Sequence, residues 1–523
     1  MSHISVIKLK NEVSPEEVYY YFSRNKYFCF LDSSLSESKY TKFSYFCFEP
    51  DFLLRSNGII CEKKYFKTNK SVINKCHPLD FLDKAVAEHI NFPFSPGQGK
   101  INLSFYDDNK GIYYQDVNLD REILPDFKGG FVGYFSYDLK KYIENLSETV
   151  EDDLQLPLIN LFFYRKVFSY NHKEKRWYYT EIIDQSAEKE NESKYLSVNE
   201  LERAALSASI ILEKAKDLLK EDGILKGIAR KYIFPGIRNI NIRTDISKKD
   251  YLEKLVKIKK YIHEGEIYQV NYTHRFFCEI PVEPNDFYYI LRKVNPAPFS
   301  ALLNFPECTV ASTSPERFIF IKNRYIETRP IKGTRPRGEN KYRDDIYRRE
   351  LKNSIKDRAE LNMIVDLERN DLGKFCNYGS VRVNKHAEIE KYAKVFHLVS
   401  TVTGRIRKGT VLSKILKSVF PGGSITGAPK IRAMQIIDEV EKRARNIYTG
   451  SLGYISVDGI TDLNICIRTF IIKDKEFFYN TGGGIVEDSV PEEEYQETLQ
   501  KGKALEEALK YFEYKNLKNF LEE

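Results

Sequence analysis

The sequence predicts an α+β fold. Two features carry this expectation. The first 170 residues break into short β-rich segments between turn residues. From residue 247 onward, strands mix with long helices of apolar periodicity, an α+β pattern. Composition agrees: 42% hydrophobic and 30% charged residues fit a folded globular protein. They exclude disordered, collagen-like and coiled-coil chains. A length of 523 residues predicts two to four domains, or one large interlocked body.

Taken in order, residues 27–31, 42–48 and 101–105 are apolar or alternating and read as strands. FKGGFVGYFSY at 127–137 is a glycine and aromatic run, the pattern of closely packed sheet. The polar stretch DQSAEKENESK, 184–194, reads as a loop. Residues 200–221 carry Leu201, Ala205, Ala208, Leu212, Ala215 and Leu219 at helical spacing. Gly223, Pro235 and Gly236 are expected to interrupt the chain beyond this helix. A domain-level seam is placed between 185 and 247, giving an N-terminal region 1–246 and a C-terminal region 247–523.

Ser247 is a plausible N-cap for the helical run after it, and Gly265 should stop that helix. IYQVNYTHRFF then alternates as a strand, followed by strands near 302–305, 309–313 and 318–321. Residues 344–367 predict one helix, through Leu351, Ile355, Ala359, Met363 and Leu367. Further helices are expected at 430–441 and 492–511.

A net charge of +7 on this length demands neither nucleic acid nor membrane as a partner. The eight cysteines form no C-x-x-C pair, which weakens zinc and thioredoxin-like readings. Their sparseness suits a reducing cytoplasm. Residues 1–17 lack the apolar core of a signal peptide, and no run of about 18 apolar residues occurs. Phosphate-loop, zinc-protease and nucleophile-elbow motifs are absent. No cysteine sits in a glycine-flanked elbow, so no amide-hydrolysing domain is expected in this chain.

Chemistry concentrates in four other stretches. These are SPERF with TRPIKGTRPRG (314–338), KDRAELNMIVDLERNDLG (356–373), FPGGSITGAPK (420–430) and TGGGIVEDSVPEEEYQET (481–498). Glu360 borders the apolar face of its helix. Glu494 and Glu497 share a face of another. Three carboxylates on two helices suit a divalent ion with oxygen ligands, most naturally Mg²⁺; solvated helix charges are the alternative. Lys332 sits in an Ile-Lys-Gly-Thr turn between two prolines. Partly desolvated, it becomes a nucleophile; otherwise it is a surface lysine. The glycines of TGGG and GGSITGAPK offer backbone N–H groups, and Arg468 interrupts an apolar strand and requires an anionic partner. Together these features point to a small carboxylate-bearing ligand and a metal.

Ten ordered motifs carry a resemblance over the C-terminal 270 residues: EGEIYQVN, NPAPF, SPERF, RPIKGTRPRG, KDRAE, DLERNDLG, VFHLVS, FPGGSITGAPK, YTGSLGY and GGGIVEDSVPEEEYQET. The chain resembles the chorismate-utilising enzymes, among them anthranilate, aminodeoxychorismate, isochorismate and salicylate synthases. FLDSS (30–34) and FKGGFVGYFSYDL (127–139) extend the likeness into the N-terminal half; it is weakest at about 171–245. The resemblance implies two packed, mostly antiparallel sheets flanked by helices, in the manner of anthranilate synthase component I.

Two positions separate members of the family. Isochorismate-type enzymes carry a water-activating lysine where Gln269 stands, so ammonia is the better guess for the nucleophile. Lys332 in PIKGT resembles the aminodeoxychorismate synthase component I branch, whereas anthranilate synthases typically have alanine there. The resemblance implies that Glu360 and Glu497 hold Mg²⁺, with Glu494 helping directly or through water. It makes Glu316 the general acid and Lys332 the covalent nucleophile. Gly333, Thr334, Thr426, Tyr448, Arg468, Gly482, Gly483 and Gly484 would bind chorismate, and His397 joins them with a less defined role. A separate glutamine amidotransferase subunit would supply ammonia, in a pathway to 4-aminobenzoate and folate. Ser33, Pro298, Phe299 and Ser300 match the places that bind tryptophan in the family. The alternatives are anthranilate synthase component I and a non-catalytic binding subunit of the same fold. A nucleic-acid binder has only the basic tract 329–349 in its favour.

Overall fold

The computed structural model describes residues 2–35, 40, 42–90, 102–115, 124–146, 150–184, 197–216, 221–233, 236–392 and 394–522. Among these, two large sheets pack face to face. The first is 14-stranded and the second 12-stranded. Their pairings are antiparallel except that Ser2–Lys8 runs parallel to Asn102–Asp107. Helices flank the sheets, so the α+β expectation of two packed, mostly antiparallel sheets holds.

In each sheet a block of N-terminal strands meets a block of C-terminal strands at one pairing. Phe299–Asn304 pairs with Cys29–Asp32, setting Ser300 opposite Asp32. Ser451–Ser456 pairs with Gly130–Phe135, setting Ser451 opposite Phe135. The core between the sheets draws on both halves, through Leu54, Phe131, Phe162, Leu303, Val310, Ile319, Leu452 and Leu463. A second cluster lies beneath the helices and includes Phe22, Phe30, Trp177, Leu212, Phe287 and Leu505. Burying each such side chain contributes about 1.5–3 kcal/mol.

Side-chain capping explains several helix starts. Lys248–His263 starts at Ser247, whose hydroxyl accepts the Asp250 N–H at 3.1 Å. The helices Lys430–Val440 and Pro491–Lys510 lie within a residue of their expected bounds.

Two expectations are corrected. The helix expected at 344–367 is two helices, Lys341–Asn353 and Ile355–Gly373. Ser354 between them is extended (ψ 111°), and its hydroxyl caps the second helix by accepting the Asp357 N–H. The break rotates the apolar register. Ile355 is left 85% exposed, while Leu361, Ile364 and Leu372 are buried. Gly223 does not interrupt the chain but lies inside the helix Glu221–Ile233. Burial of Ile224, Ile228 and Tyr232 outweighs the glycine's cost of about 1 kcal/mol. Residues 185–194 of the polar stretch, Pro235 and Leu219 lie outside the described residues. Among the described residues no helix is long and apolar enough to cross a membrane.

Candidate active site

A cavity of about 1050 Å³ opens in the C-terminal part of the chain. Its walls come from the strands Ile331–Pro336, Gln269–Glu279 and Glu476–Ile485 and the helices Ile355–Gly373 and Pro491–Lys510. Glu316, Lys332, Gly333, Thr334, Glu360, His397, Tyr448, Arg468, Gly482, Gly484, Glu494 and Glu497 all line it. Residues separated by up to 181 positions in sequence, Glu316 and Glu497, therefore meet in one volume.

Lys332 owes its aim to a bulge. The register between Ile331–Pro336 and Val395–Arg405 shifts between Lys332 and Thr334. Gly333 in the bulge has φ +70°, and a Cβ there would fall 2.8 Å from Asp357 Cγ. Only glycine fits both demands. Lys332 Nζ then donates to the Ser424 carbonyl at 3.4 Å. Burial lowers the pKa of this lysine below its ordinary value, against the pull of Glu360.

Glu316 is 4% exposed. Burial raises its carboxyl to about 7, while the Ser424 hydroxyl, Lys332 and the Ile331 N–H favour its ionised form. A carboxylic acid that keeps its proton near neutral pH is suited to general acid work. His397 is buried, and its Nδ1 lies 3.0 Å from Thr334 Oγ1. Burial first and the Arg468 charge second lower its pKa to about 3, so the ring is neutral.

Arg468 holds a left-handed backbone conformation, φ +50°. Strain of that kind, of order 1–3 kcal/mol, concentrates at functional sites. Its carbonyl accepts the Thr313 N–H at 3.0 Å, which fixes the turn. Its guanidinium makes no ion pair among the described residues, and Tyr392 is the ionisable group that acts on it. A cation placed so in a cavity can receive a carboxylate.

The three carboxylates project from two helices. Burial raises the Glu360 pKa. Glu494 is 4% exposed, accepts the Ser489 hydroxyl at 2.7 Å and lies 3.5 Å from Lys356 Nζ. Glu497 pairs with Lys501 at 2.6 Å, which holds its pKa down. Among the described residues no three acidic, histidine or cysteine side chains are gathered into a ready metal cage. Two lysine ammonium groups instead sit against two of the carboxylates.

Two expected residues stand outside the cavity lining. Thr426 is fully buried and turns its hydroxyl to the Gly422 carbonyl at 2.9 Å. Gly483 is buried beneath Glu494, with its Cβ position 3.1 Å from Glu494 Oε2.

Comparison with known proteins addresses the whole assembly. The model of the family described as chorismate binding enzyme matches residues 103–507. The chain belongs to the chorismate-binding enzymes. Aminodeoxychorismate synthase component 1 of Bacillus subtilis (strain 168) is 37% identical over 390 residues, covering 75% of this chain and 79% of that protein. Anthranilate synthase component 1 of Aquifex aeolicus is 38% identical over 404 residues, covering 77% and 78%. The crystal structure of anthranilate synthase component I from Streptococcus pneumoniae TIGR4 superposes with a TM-score of 0.68 at 27% identity, covering 89% of this chain and 92% of that one. The menaquinone-specific isochorismate synthase of Escherichia coli, at 15% identity and a TM-score of 0.64, shares the fold. This chorismate-binding enzyme is thus of the aminodeoxychorismate or anthranilate synthase component I type, with relatives of both kinds at nearly equal identity.

The enzyme has a second cavity, of about 270 Å³, lined by Ser33, Pro298, Phe299 and Ser300 together with Asp32, Arg317 and Tyr454. Asp32 is committed to Arg292, which donates at 2.6 and 3.2 Å. One segment separates the two cavities: Asn295 to Ala297 face the first, and Pro298 to Ser300 the second.

Sequence reasoning passed over Asn271, Ser424, Ile425 and Tyr392 of the chorismate-binding enzyme's main cavity. A signal was present for Ser424, inside the glycine-rich FPGGSITGAPK. Asn271 ends the motif EGEIYQVN, but its alternating strand gave no reason to aim it at the cavity.

Proposed function

We propose that this enzyme converts chorismate and ammonia to 4-amino-4-deoxychorismate. The observation that carries it is Lys332: a desolvated amine aimed by a bulge into the cavity that also holds Glu316. Chorismate is a dicarboxylate with a poor hydroxyl leaving group at C4. Arg468 offers a cation to one carboxylate, and the Gly482 and Gly484 backbone leaves room for the ring.

Lys332 attacks C2 through its neutral Nζ. The ring double bond shifts, the C4 hydroxyl departs, and Glu316 supplies the proton that lets it leave as water. Ammonia then attacks C4, the double bond shifts back, and the C2–Nζ bond breaks to release the lysine. One proton lost from the incoming ammonia balances the one Glu316 gave. The pairing with a separate glutamine amidotransferase, and the route onward to 4-aminobenzoate and folate, belong to this reading. So does a cytoplasmic location.

The donor set suits Mg²⁺. Glu360, Glu494 and Glu497 offer hard carboxylate oxygens, and Lys356 and Lys501 lie beside two of them. When bound, the ion would screen the repulsion between these carboxylates and that of the substrate. The protein's part is to hold the three acids on two rigid helices facing one volume.

The test is a product assay on purified protein with chorismate, Mg²⁺ and ammonium at neutral to mildly alkaline pH, read by mass spectrometry, with Lys332→Ala in parallel. Aminodeoxychorismate from the wild type, and its loss or severe slowing in the variant, is the expected result. Anthranilate with pyruvate would move the enzyme to tryptophan synthesis and leave Lys332 incidental.

A further inference from the structure

Arg445 touches no cavity surface, yet it ties together the segments that form the inner wall. It is 2% exposed. Its guanidinium donates to the Asn271 carbonyl at 2.7 Å and to the Ile425 carbonyl at 3.0 Å. Two further bonds, both 2.7 Å, go to the Glu441 carboxylate. Thr449 Oγ1 lies 3.4 Å away, and the Arg445 carbonyl accepts the Tyr448 N–H at 3.1 Å. Asn271, Ile425 and Tyr448 all line the main cavity. The fork of donors therefore joins two wall segments far apart in sequence, at Asn271 and Ile425, while the Arg445 carbonyl holds the adjacent Tyr448.

The connection reaches the reacting groups through a single residue. Ser424 precedes Ile425 in the turn Gly423–Ile425. Its carbonyl accepts from Lys332, and its hydroxyl faces Glu316. Rotation of the Ile425 peptide would move both contacts together.

The N-terminal half holds the hub from behind. The Tyr137 ring lies 4.8 Å from the Arg445 guanidinium carbon, within cation–π range. The neighbouring backbone clamps Asn446: the Ser136 hydroxyl and the Tyr137 N–H donate to its carbonyl at 2.9 and 2.8 Å, and Asp138 accepts its N–H at 2.8 Å. The motif FKGGFVGYFSYDL thereby gains a role besides packing.

We propose that Arg445, backed by Tyr137, is a positioning residue that sets Ser424, and through it Lys332 and Glu316, in reactive geometry. This rests on the chorismate reading of the cavity. The carboxylate paired with the guanidinium is Glu441, four residues before it; Lys140 lies within electrostatic reach, and the neutral ring of Tyr137 covers the guanidinium from the N-terminal half.

The experiment compares wild type, Arg445→Lys and Tyr137→Leu. Lysine keeps the charge beside Glu441 but cannot reach both carbonyls in one plane. Circular dichroism checks the fold, calorimetry gives the chorismate Kd, and initial rates give kcat. Arg445→Lys is expected to stay folded, bind chorismate within about 3-fold of wild type and lose about 100-fold in kcat, the effect of a small misplacement of reacting groups. Tyr137→Leu, which keeps all the guanidinium's hydrogen bonds, is expected to lose about 10-fold in kcat by the same route. Wild-type kcat in both folded variants would overturn the proposal, as would a loss confined to chorismate binding. Should Arg445→Lys not fold, Tyr137→Leu decides by the same two criteria. Failure of the proposed reaction shows differently, as a wild type that makes no aminated product.

Discussion

Gln269 and Lys332 meet over Gly484. A Cβ placed on residue 484 would lie 2.4 Å from Gln269 Nε2 and 3.2 Å from Lys332 Nζ. The absence of a side chain is what lets the buried Gln269 amide and the Lys332 amine both approach this point of the cavity wall. Gly484→Ala should push them apart and reduce kcat about 100-fold. Overpacking would destabilise the fold by only about 1–3 kcal/mol. Rate and urea midpoint measured on the same preparation separate the two; an alanine variant with full activity would show that the corner is not used.

The pH profile should turn on Glu316. Its carboxyl sits near 7, and a general acid works only while protonated. Activity at fixed free-ammonia concentration should therefore fall as pH rises through about 7. The rising limb belongs to Lys332, whose neutral fraction grows with pH and whose pKa burial has lowered. Glu316→Gln should lose the falling limb along with most of the rate. A flat profile between pH 6 and 8 would argue against this assignment.

Removal of divalent ions should abolish turnover, and Mg²⁺ should restore it. Glu360→Gln and Glu497→Gln remove one hard ligand each and should raise the Mg²⁺ concentration needed for half-maximal heat of binding by about tenfold or more. Calorimetry without chorismate reads this independently of activity. Unchanged Mg²⁺ binding in both variants would place the ion elsewhere.

The second cavity should take tryptophan. Ser33 and the Pro298–Ser300 turn line it, and Asp32 is already held by Arg292. We expect calorimetric heat with tryptophan, or bound tryptophan released when the purified protein is denatured. Neither signal would remove tryptophan from the account.

Lys140 is fully buried against Asp438, with Asp138 nearby. Lys140→Met should destabilise by about 3–5 kcal/mol, because it strands buried carboxylates without their cation. Protonation relieves stranded carboxylates, so the deficit should shrink as pH falls. Urea midpoints at pH 5 and 8 test both the size and the sign. A variant equally stable at both values, or unaffected, would contradict it.

Local signals read well from the sequence where the physics is local. Ser247 capped its helix, and the alternation of IYQVNYTHRFF gave the Gln269–Glu279 strand. The break at Ser354 was hidden because Leu351 and Ile355 keep helical spacing across it. Only the capping bond to Asp357 reveals that the register restarts. Most of the expected site residues converge because dense polar motifs mark them. Arg445 was not legible: its partners Asn271 and Ile425 are remote in sequence, and nothing about a lone arginine names two carbonyls. Thr426 stood inside a glycine-rich motif, yet its hydroxyl turns to Gly422, a direction the spacing does not encode. Strand order across the sheets was likewise invisible, since pairing such as Ser300 with Asp32 is set by the folded whole.

The joining of early and late strands at one seam per sheet has a consequence for the nascent protein. Gly130–Phe135 lies beside Ser451–Ser456, which leaves the ribosome more than half a chain later. At about 5–20 residues per second, the earlier strand waits tens of seconds with an open edge. Cys29–Asp32 waits in the same way for Phe299–Asn304. Open apolar edges invite pairing with the wrong chain. Late closure of this kind leaves two strand edges open to mispairing for most of the chain's synthesis.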